Sequence, residues 1–210
     1  MSKGCRVLGA VLLLALALAG CALAEEPPGQ SAASPESPSS SSGSSQSVPP
    51  QSQPLPESLA SEPDAPEGCR WLTITEAEVL TLINQERRDL GLAPLTYDSD
   101  LAAAARVRCR ELYKGNYVAH TRPNGDPWET VLQEDVPVEY ALAAENLAWS
   151  NHAEGESLTA FQWFSLWKES EDHYSAMVNP KYSYCGIAIL TGPYFEGEDQ
   201  TYATALFCSY

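Results

Sequence analysis

The chain has 210 residues, of which 12 are Lys or Arg and 28 are Asp or Glu, so its formal net charge is −16. Such acidity disfavours nucleic acid and anionic lipid as partners, because both are repelled by a negative protein surface. Acidic composition also serves solubility, so the charge does not identify a positively charged partner.

Residues 1–20 have the organisation of an export signal. Basic residues precede an apolar run from Val7 to Ala19, which is too short to cross a bilayer comfortably. The run ends in Leu-Ala-Gly-Cys at residues 18–21, which resembles the bacterial lipobox, where a peptidase cuts before the cysteine and its thiol receives diacylglycerol. We therefore predict that Cys21 is a lipidated N-terminus, anchored in the cell membrane on the extracytoplasmic side. An ordinary secretory signal with an incidental cysteine is the alternative.

Residues 21–68 are predicted to form a disordered, acidic tether that follows the lipidated cysteine. The 47 residues after Cys21 include 13 Ser and 10 Pro, with no aromatic residue and no Lys or Arg. This composition cannot bury enough apolar surface to offset the entropy of ordering the chain. A coil of this length spans roughly 40 Å, enough to hold a domain clear of a lipid surface. Residues 69–210 remain, and they have the usual size of one domain.

Two amphipathic helices are predicted at the start of this domain. Thr75-Glu76-Ala77-Glu78 has the pattern of a capping box, and Gly91 ends the helix that follows it. Ser99 or Asp98 caps a second helix, which Gly115 ends. The predicted inner face of the second helix consists of Leu101, Ala104, Ala105, Cys109 and Leu112.

An extended segment, residues 117–120, is predicted to lead into a loop and then into a short helix. Asp126-Pro127 is typical of an N-cap followed by the first helical residue, which places a short helix over residues 128–133. Glu129 lies in the first turn of that helix.

The next predicted element is an aromatic helix, followed by a short helical turn. Ser170 can cap this turn, which contains His173 and ends before Pro180. The apolar stripe of the aromatic helix is predicted to consist of Leu158, Phe161, Trp163, Phe164 and Trp167.

Two apolar, β-branched runs at the end of the chain, residues 185–190 and 201–207, are predicted to pair as antiparallel strands. Cys185 begins the first run and Cys208 follows the second. An exported chain permits disulfides, so we predict a bond between these two cysteines. Cys69 and Cys109 then form a second candidate pair or remain free thiols.

Three histidines lie in the domain, and two of them are candidates for a shared cleft. His120 and His173 are predicted to face one cleft with Glu145 between them. Two imidazoles and a carboxylate can bind Zn²⁺ or another divalent metal and leave one coordination position open. On spacing alone, isolated histidines are more often structural, and Ser170 beside His173 is more simply an N-cap than a nucleophile.

The chain resembles the CAP superfamily, also called SCP domains, in its bacterial form. This superfamily includes cysteine-rich secretory proteins, antigen 5 and plant pathogenesis-related proteins. The resemblance covers Glu76 to Tyr210 and implies an α/β (α+β) fold, a three-layer α-β-α sandwich with a small, mainly antiparallel sheet. The motifs that carry it, in chain order, are LINQERRDLGLAPLTYDSDLAAAA, HTRPNG, AENLAW, WKESEDHYSAMVNPKY and CGIAI.

The resemblance also implies a cleft in which two histidines and two glutamates can bind divalent metal. His120 and His173 match the two histidines. Glu145 matches the glutamate of the Gly-Glu-Asn motif, although Ala144 replaces the glycine.

The second glutamate of the family has no direct counterpart. Ser170 stands where animal and plant relatives have it, and Glu129 or Glu169 is the expected substitute. His152 matches no family position and is predicted to lie on the surface.

These inferences predict a surface lipoprotein whose domain binds an extracellular ligand, lipid or protein. The alternative is a metal-dependent hydrolase acting on peptides, with His120 and His173 as metal ligands and Glu145 or Glu129 as base or further ligand. The fold alone does not decide between them, since CAP members are connected with lipid binding, signalling and proteolysis. The sequence has no Gly-x-Ser-x-Gly or His-Glu-x-x-His motif that would favour catalysis.

Overall fold

The computed structural model of the protein describes residues 65–210. The predicted export signal, Cys21 and most of the tether lie outside the described residues. Within residues 65–210, no helix combines the length and apolar character needed to cross a membrane. The elements, in chain order, are β1 (Arg70–Trp71), α1 (Thr73–Asp89), β2 (Thr96–Tyr97), α2 (Ser99–Gly115), a 3₁₀ turn (Trp128–Thr130), a π-helix (Val131–Asp135), β3 (Leu142–Ala153), α3 (Ala160–Lys168), α4 (Glu171–Met177), β4 (Tyr184–Phe195) and β5 (Glu198–Ser209).

The strands form one sheet with β4 and β5 at its centre. β5 pairs antiparallel with β4 on one side and with β3 on the other. The outer edge of β4 carries two short strands, since β1 pairs antiparallel at Thr191 and β2 pairs parallel at Tyr184. The sheet is therefore mainly antiparallel, and the predicted pairing of the last two strands is confirmed. β3 was not among the strands predicted from the residues alone.

Helices cover both faces of the sheet. Alternate residues of a strand point to opposite faces, so Ile187 and Ile189 of β4 pack with α1, α3 and α4. Ala188 and Leu190 pack instead with α2 and the π-helix. This arrangement confirms the three-layer α-β-α sandwich that the resemblance implies.

Helix α2 lies close against the centre of the sheet. Its predicted inner face is confirmed, because all five residues of that face are buried. A Cβ atom on Gly186 would lie 2.1 Å from the backbone N of Ala102, so the close approach of α2 to β4 requires glycine at this position. Asp98 is the N-cap, and its carboxylate accepts hydrogen bonds from the N–H groups of Asp100 and Leu101.

Helix α1 begins two residues before the predicted capping box. Its N-cap is Leu72, which makes no side-chain capping bond, so the capping-box prediction is wrong. Tertiary contacts set the start of the helix, because the N–H of Leu72 donates to the carbonyl of Ile189 at 2.9 Å, and the buried Glu76 accepts the N–H of Ile189 at 2.8 Å. That N–H belongs to the edge of β4 between the residues paired with β1 and those paired with β2.

Helix α3 has a complete capping box formed by Thr159 and Gln162. Its buried face consists of Ala160, Trp163, Phe164 and Trp167, at the i, i+3, i+4, i+7 spacing of an amphipathic helix. Phe161 lies one position away from that face and is 65% exposed, so its predicted place in the apolar stripe is wrong.

The predicted disulfide between Cys185 and Cys208 is wrong. In the β4–β5 register Cys185 lies opposite Phe207, while Cys208 lies opposite Tyr184. The two side chains therefore point to opposite faces of the sheet, and a disulfide needs Cβ atoms about 4 Å apart that point toward each other.

All four cysteines in residues 65–210 are free thiols, so the second candidate pair is not bonded either. Cys69 lies against Gly192, whose added Cβ atom would meet its Sγ. The thiol of Cys109 donates to the carbonyl of Ala188 at 3.3 Å. Gly192 and Ala188 are four residues apart on β4, a distance of about 13 Å along a strand, so the two thiols lie too far apart to bond.

Candidate functional site

The loop after α2 brings His120 to the edge of the sheet. Asn116 ends α2 in the left-handed conformation with φ 51°, and the chain then turns toward His120. A tight turn follows, in which the N–H of Arg122 donates to the carbonyl of Asp126 at 2.8 Å. The imidazole of His120 is 57% exposed, so one side of the ring contacts protein and the other faces solvent.

His120 is paired with Glu145, as the resemblance implies. Nδ1 of His120 lies 2.7 Å from Oε2 of Glu145, whose side chain is fully buried. Glu145 belongs to β3 and points to the face of the sheet that α2 covers, because its other partner, Arg108, belongs to α2.

Arg108 is the residue of the site that the sequence analysis missed. Its guanidinium is fully buried and donates from Nε to Oε1 of Glu145 at 2.7 Å. Burial lowers the pKa of Arg108, but its hydrogen bonds and charge interactions with Glu145 and Glu111 raise it, and the net shift is upward. Both oxygens of Glu145 are therefore engaged, one by Arg108 and one by His120. The available signal was an arginine within the alanine-rich, inward-facing part of α2.

A second set of ion pairs joins this centre to the π-helix. Glu111 binds Arg108 through one oxygen and Arg122 through the other. Arg122 also contacts Asp135 at 2.8 Å and donates to the hydroxyl of Thr130 at 3.1 Å. The loop that carries His120 is therefore bound to both α2 and the π-helix by charged groups.

His173 approaches from α4, on the other face of β3. The side-chain amide of Asn146 donates to the carbonyl of His173 at 2.9 Å. Burial lowers the pKa of His173, the charge of His120 lowers it further, and Asp172 opposes both effects. Neighbouring residues of β3, Glu145 and Asn146, thus hold one histidine each.

In residues 65–210, the other predicted cleft residues make no hydrogen bond or ion pair with the histidine rings. Glu129 lies in the 3₁₀ turn, and its Oε2 is buried with no hydrogen-bond partner in the described part of the chain. Ser170 occupies the predicted N-cap of α4, but its hydroxyl makes no capping hydrogen bond. Glu169 is the C-cap of α3 and is exposed.

His152 lies outside this site. It is seven residues from Glu145 on β3, a distance of about 23 Å along a strand. Its Nε2 is 2.6 Å from the hydroxyl of Ser150, and burial lowers its pKa.

The arrangement of donors limits how the site can bind a metal ion. In residues 65–210, no group of three or more His, Cys, Asp or Glu side chains is placed to hold one. The buried carboxylate of Glu145 is held by Arg108 and His120, so the residues do not fit a catalytic zinc with three protein ligands, and we derive no metal-assisted step. Binding of a divalent ion by the imidazoles of His120 and His173 stays a prediction.

Comparison with known proteins gives a family match. The model of the cysteine-rich secretory protein (CAP) family matches residues 80–210. The uncharacterized protein YkwD of Bacillus subtilis (strain 168) is 30% identical over 113 residues, which are 53% of this chain and 41% of YkwD. The uncharacterized membrane protein YlbC of the same strain is 28% identical over 131 residues, which are 61% of this chain and 36% of YlbC. The chain thus spans less than half the length of these curated relatives.

Two solved structures share the fold. An extracellular protein of Bacillus anthracis str. Ames that contains an SCP domain superposes with a TM-score of 0.52 and 22% identity, covering 66% of this chain and 41% of that chain. An outer surface protein of Borrelia burgdorferi superposes with a TM-score of 0.53 and 18% identity, covering 67% of this chain and 97% of that chain. At these identities the likeness shows the fold alone.

Proposed function

The chain belongs to the cysteine-rich secretory protein (CAP) family, and from that premise we propose that its folded domain is a binding module on the extracytoplasmic side of a bacterial membrane. The predicted export signal supports this location. Further support comes from the two structural neighbours, one of which is an extracellular protein and the other an outer surface protein.

The observation that carries the binding proposal is the burial of Glu145 between Arg108 and His120. A general base needs a carboxylate oxygen within reach of the proton that it takes. Oε1 of Glu145 accepts from Arg108, Oε2 is bonded to His120 and the side chain is fully buried, so neither oxygen is exposed to a solvent water molecule. The site therefore offers imidazole groups to a ligand, while its buried carboxylate serves to hold one of them. This assignment favours ligand binding over peptide hydrolysis.

The two imidazoles define where a ligand is expected to bind. His120 is exposed and uses Nδ1 to contact Glu145, while His173 is half-buried on α4. A divalent metal is one ligand that such a pair can take. Because imidazole must be neutral to bind metal, binding of Zn²⁺ should weaken as the pH falls and the imidazoles take up protons.

Calorimetric titration with Zn²⁺ tests the site. The detergent-solubilised full chain is compared with His120→Ala, His173→Ala and the matched control His152→Ala. We expect both site variants to lose Zn²⁺ affinity and the control to retain it. Unchanged affinity in both site variants would place any metal elsewhere. Peptide turnover that is lost on chelation and restored by metal would instead favour the hydrolase.

A separate experiment tests the membrane anchor. Cells expressing the full chain are labelled with a palmitate analogue, and the label on the protein is compared with that on Cys21→Ala and Cys5→Ala. Cys5 lies within the predicted signal, so its substitution should leave labelling intact, while Cys21→Ala should abolish it. Equal labelling of the Cys21→Ala protein would remove the anchor from the proposal.

A further inference from the structure

Arg108 contacts the surroundings of His120 at three points. Its Nε donates to Glu145 at 2.7 Å, its Nη1 donates to Glu111 at 2.6 Å, and its Nη2 donates to the carbonyl of Ala119 at 2.7 Å. Ala119 directly precedes His120, and Glu145 holds the His120 ring. A fully buried guanidinium thus binds both the backbone and the side-chain partner of one exposed imidazole.

We propose that Arg108 is a positioning residue for His120, which fixes both the orientation of the imidazole and its tautomer. Nδ1 carries the proton and donates it to Glu145, while Nε2 is left unprotonated for a ligand. The inference deepens the proposed function, since it rests on His120 as a ligand-binding group. It adds a residue of α2 to a site otherwise formed by a loop, β3 and α4.

The tautomer follows from the hydrogen bonds of Glu145. A carboxylate can only accept hydrogen bonds, and Oε1 of Glu145 already accepts one from the guanidinium of Arg108 at 2.7 Å. Oε2 therefore accepts from His120, so Nδ1 has to be the donor. In a neutral imidazole the second nitrogen is then an acceptor with a free lone pair. Carboxylates that bind a histidine in this way orient it toward a metal or other ligand.

The position of the ring follows from the contacts on both sides of His120. Arg108 holds the carbonyl immediately before it, and Glu111, itself bound to Arg108, holds Arg122 two residues after it. Lysine cannot reproduce this set of contacts, because a single ammonium group lacks the planar fork that spans three separated acceptors. Arg108→Lys therefore keeps the charge and removes the geometry.

The wild-type protein provides the first test. The full chain has three histidines, so ¹⁵N-histidine labelling in detergent gives an NMR spectrum of only three rings, and His120→Gln identifies the signal of His120. At a pH high enough to keep the rings neutral, we expect His120 to show a protonated Nδ1 and an unprotonated Nε2. This is the reverse of the tautomer that predominates for histidine in water. An Nε2-protonated ring would overturn the proposal.

Arg108→Lys provides the second test, with Arg110→Lys as the matched control on the same helix. We expect Arg108→Lys to give a mixture of His120 tautomers. We also expect a loss of Zn²⁺ affinity of about 10-fold or more, as for other residues that orient metal-binding histidines without binding the metal themselves. The control should match the wild type. Unchanged His120 signals in folded Arg108→Lys would overturn the proposal. The NMR measurement needs no ligand, so a failure to bind Zn²⁺ would count against the proposed function and leave the tautomer result standing.

Discussion

Helix α2 carries two buried arginine–glutamate pairs, only two residues apart, and they differ in how completely they are bonded. Arg106 contacts Glu76 at 3.2 Å and stacks on Trp71 with 4.6 Å to the ring centroid, but its Nη1 is buried with no hydrogen-bond partner among the described residues. Arg108 uses all three of its nitrogens, with distances of 2.6 to 2.7 Å.

Arginines of α2 thus bind glutamates near both edges of the sheet, and only the β3 edge bears the candidate site. Glu76 binds the free edge of β4, where its carboxylate accepts a backbone N–H. Glu145 belongs to β3 and binds an exposed histidine. The same pair of side-chain types therefore completes a sheet edge in one place and positions an imidazole in the other. The number and identity of the further partners of each pair decide which of these two roles the pair has.

The largest expected effect is a difference in the free energy of unfolding between variants of the two arginines. Arg108→Met leaves two carboxylates without their buried partner, so we expect the free energy of unfolding to fall by about 3–5 kcal/mol. Arg106→Met should cost less, because the bond to Glu76 is longer and the Glu76 carboxyl can take up a proton. Denaturant titration of both full-length variants measures the difference. Equal losses would show that the number of contacts does not set the contribution of each pair.

The pH dependence of stability should report the pair at the β4 edge. Burial raises the pKa of Glu76 to about 7, although Arg106 and the Ile189 N–H lower it. The unfolded value is about 4.3, so the native state holds the proton more tightly. The resulting stabilisation is present below pH 4.3 and is lost as the pH rises to about 7, by about 4 kcal/mol at most.

Glu76→Gln should remove this part of the pH dependence, since an amide does not titrate. The exposed Glu78→Gln on the same helix is the control and should retain it. Stability measured by denaturant titration at pH 4.5, 6 and 7.5 gives the slope for each protein. A slope that persists in Glu76→Gln would assign the pH dependence to other groups.

The smallest expected effect concerns the N-cap of the helix that carries both pairs. Asp98→Ala removes the acceptor for two backbone N–H groups and should destabilise the protein by about 1 kcal/mol. Ser99→Ala should change stability by less than about 0.5 kcal/mol, because Ser99 is the first helical residue and not the cap. Thermal unfolding of the two variants checks the order, and the reverse order would make Ser99 the effective cap.

The sequence by itself determined the features that depend on local spacing. The inner face of α2, its end at Gly115, the pairing of the last two strands and the position of Ser170 before α4 all agree with the structure. Each follows from helical or strand periodicity and from residues that favour helix ends, and these act over a few positions of the chain. The family motifs added the sandwich and the choice of Glu145 beside His120.

Only the tertiary structure decided which buried groups face each other. The local sequence predicted Glu76 to be part of a capping box. In the structure it is buried and accepts the N–H of a strand residue that lies 113 positions away along the chain. Cys185 and Cys208 lie at neighbouring ends of paired strands, yet the register of the two strands places their side chains on opposite faces of the sheet. Arg108 gives no local sign of its role, because its partners lie 37 and 11 positions away along the chain, on β3 and beside His120. Periodicity shows that a side chain is buried, whereas the partner it meets depends on how distant segments pack.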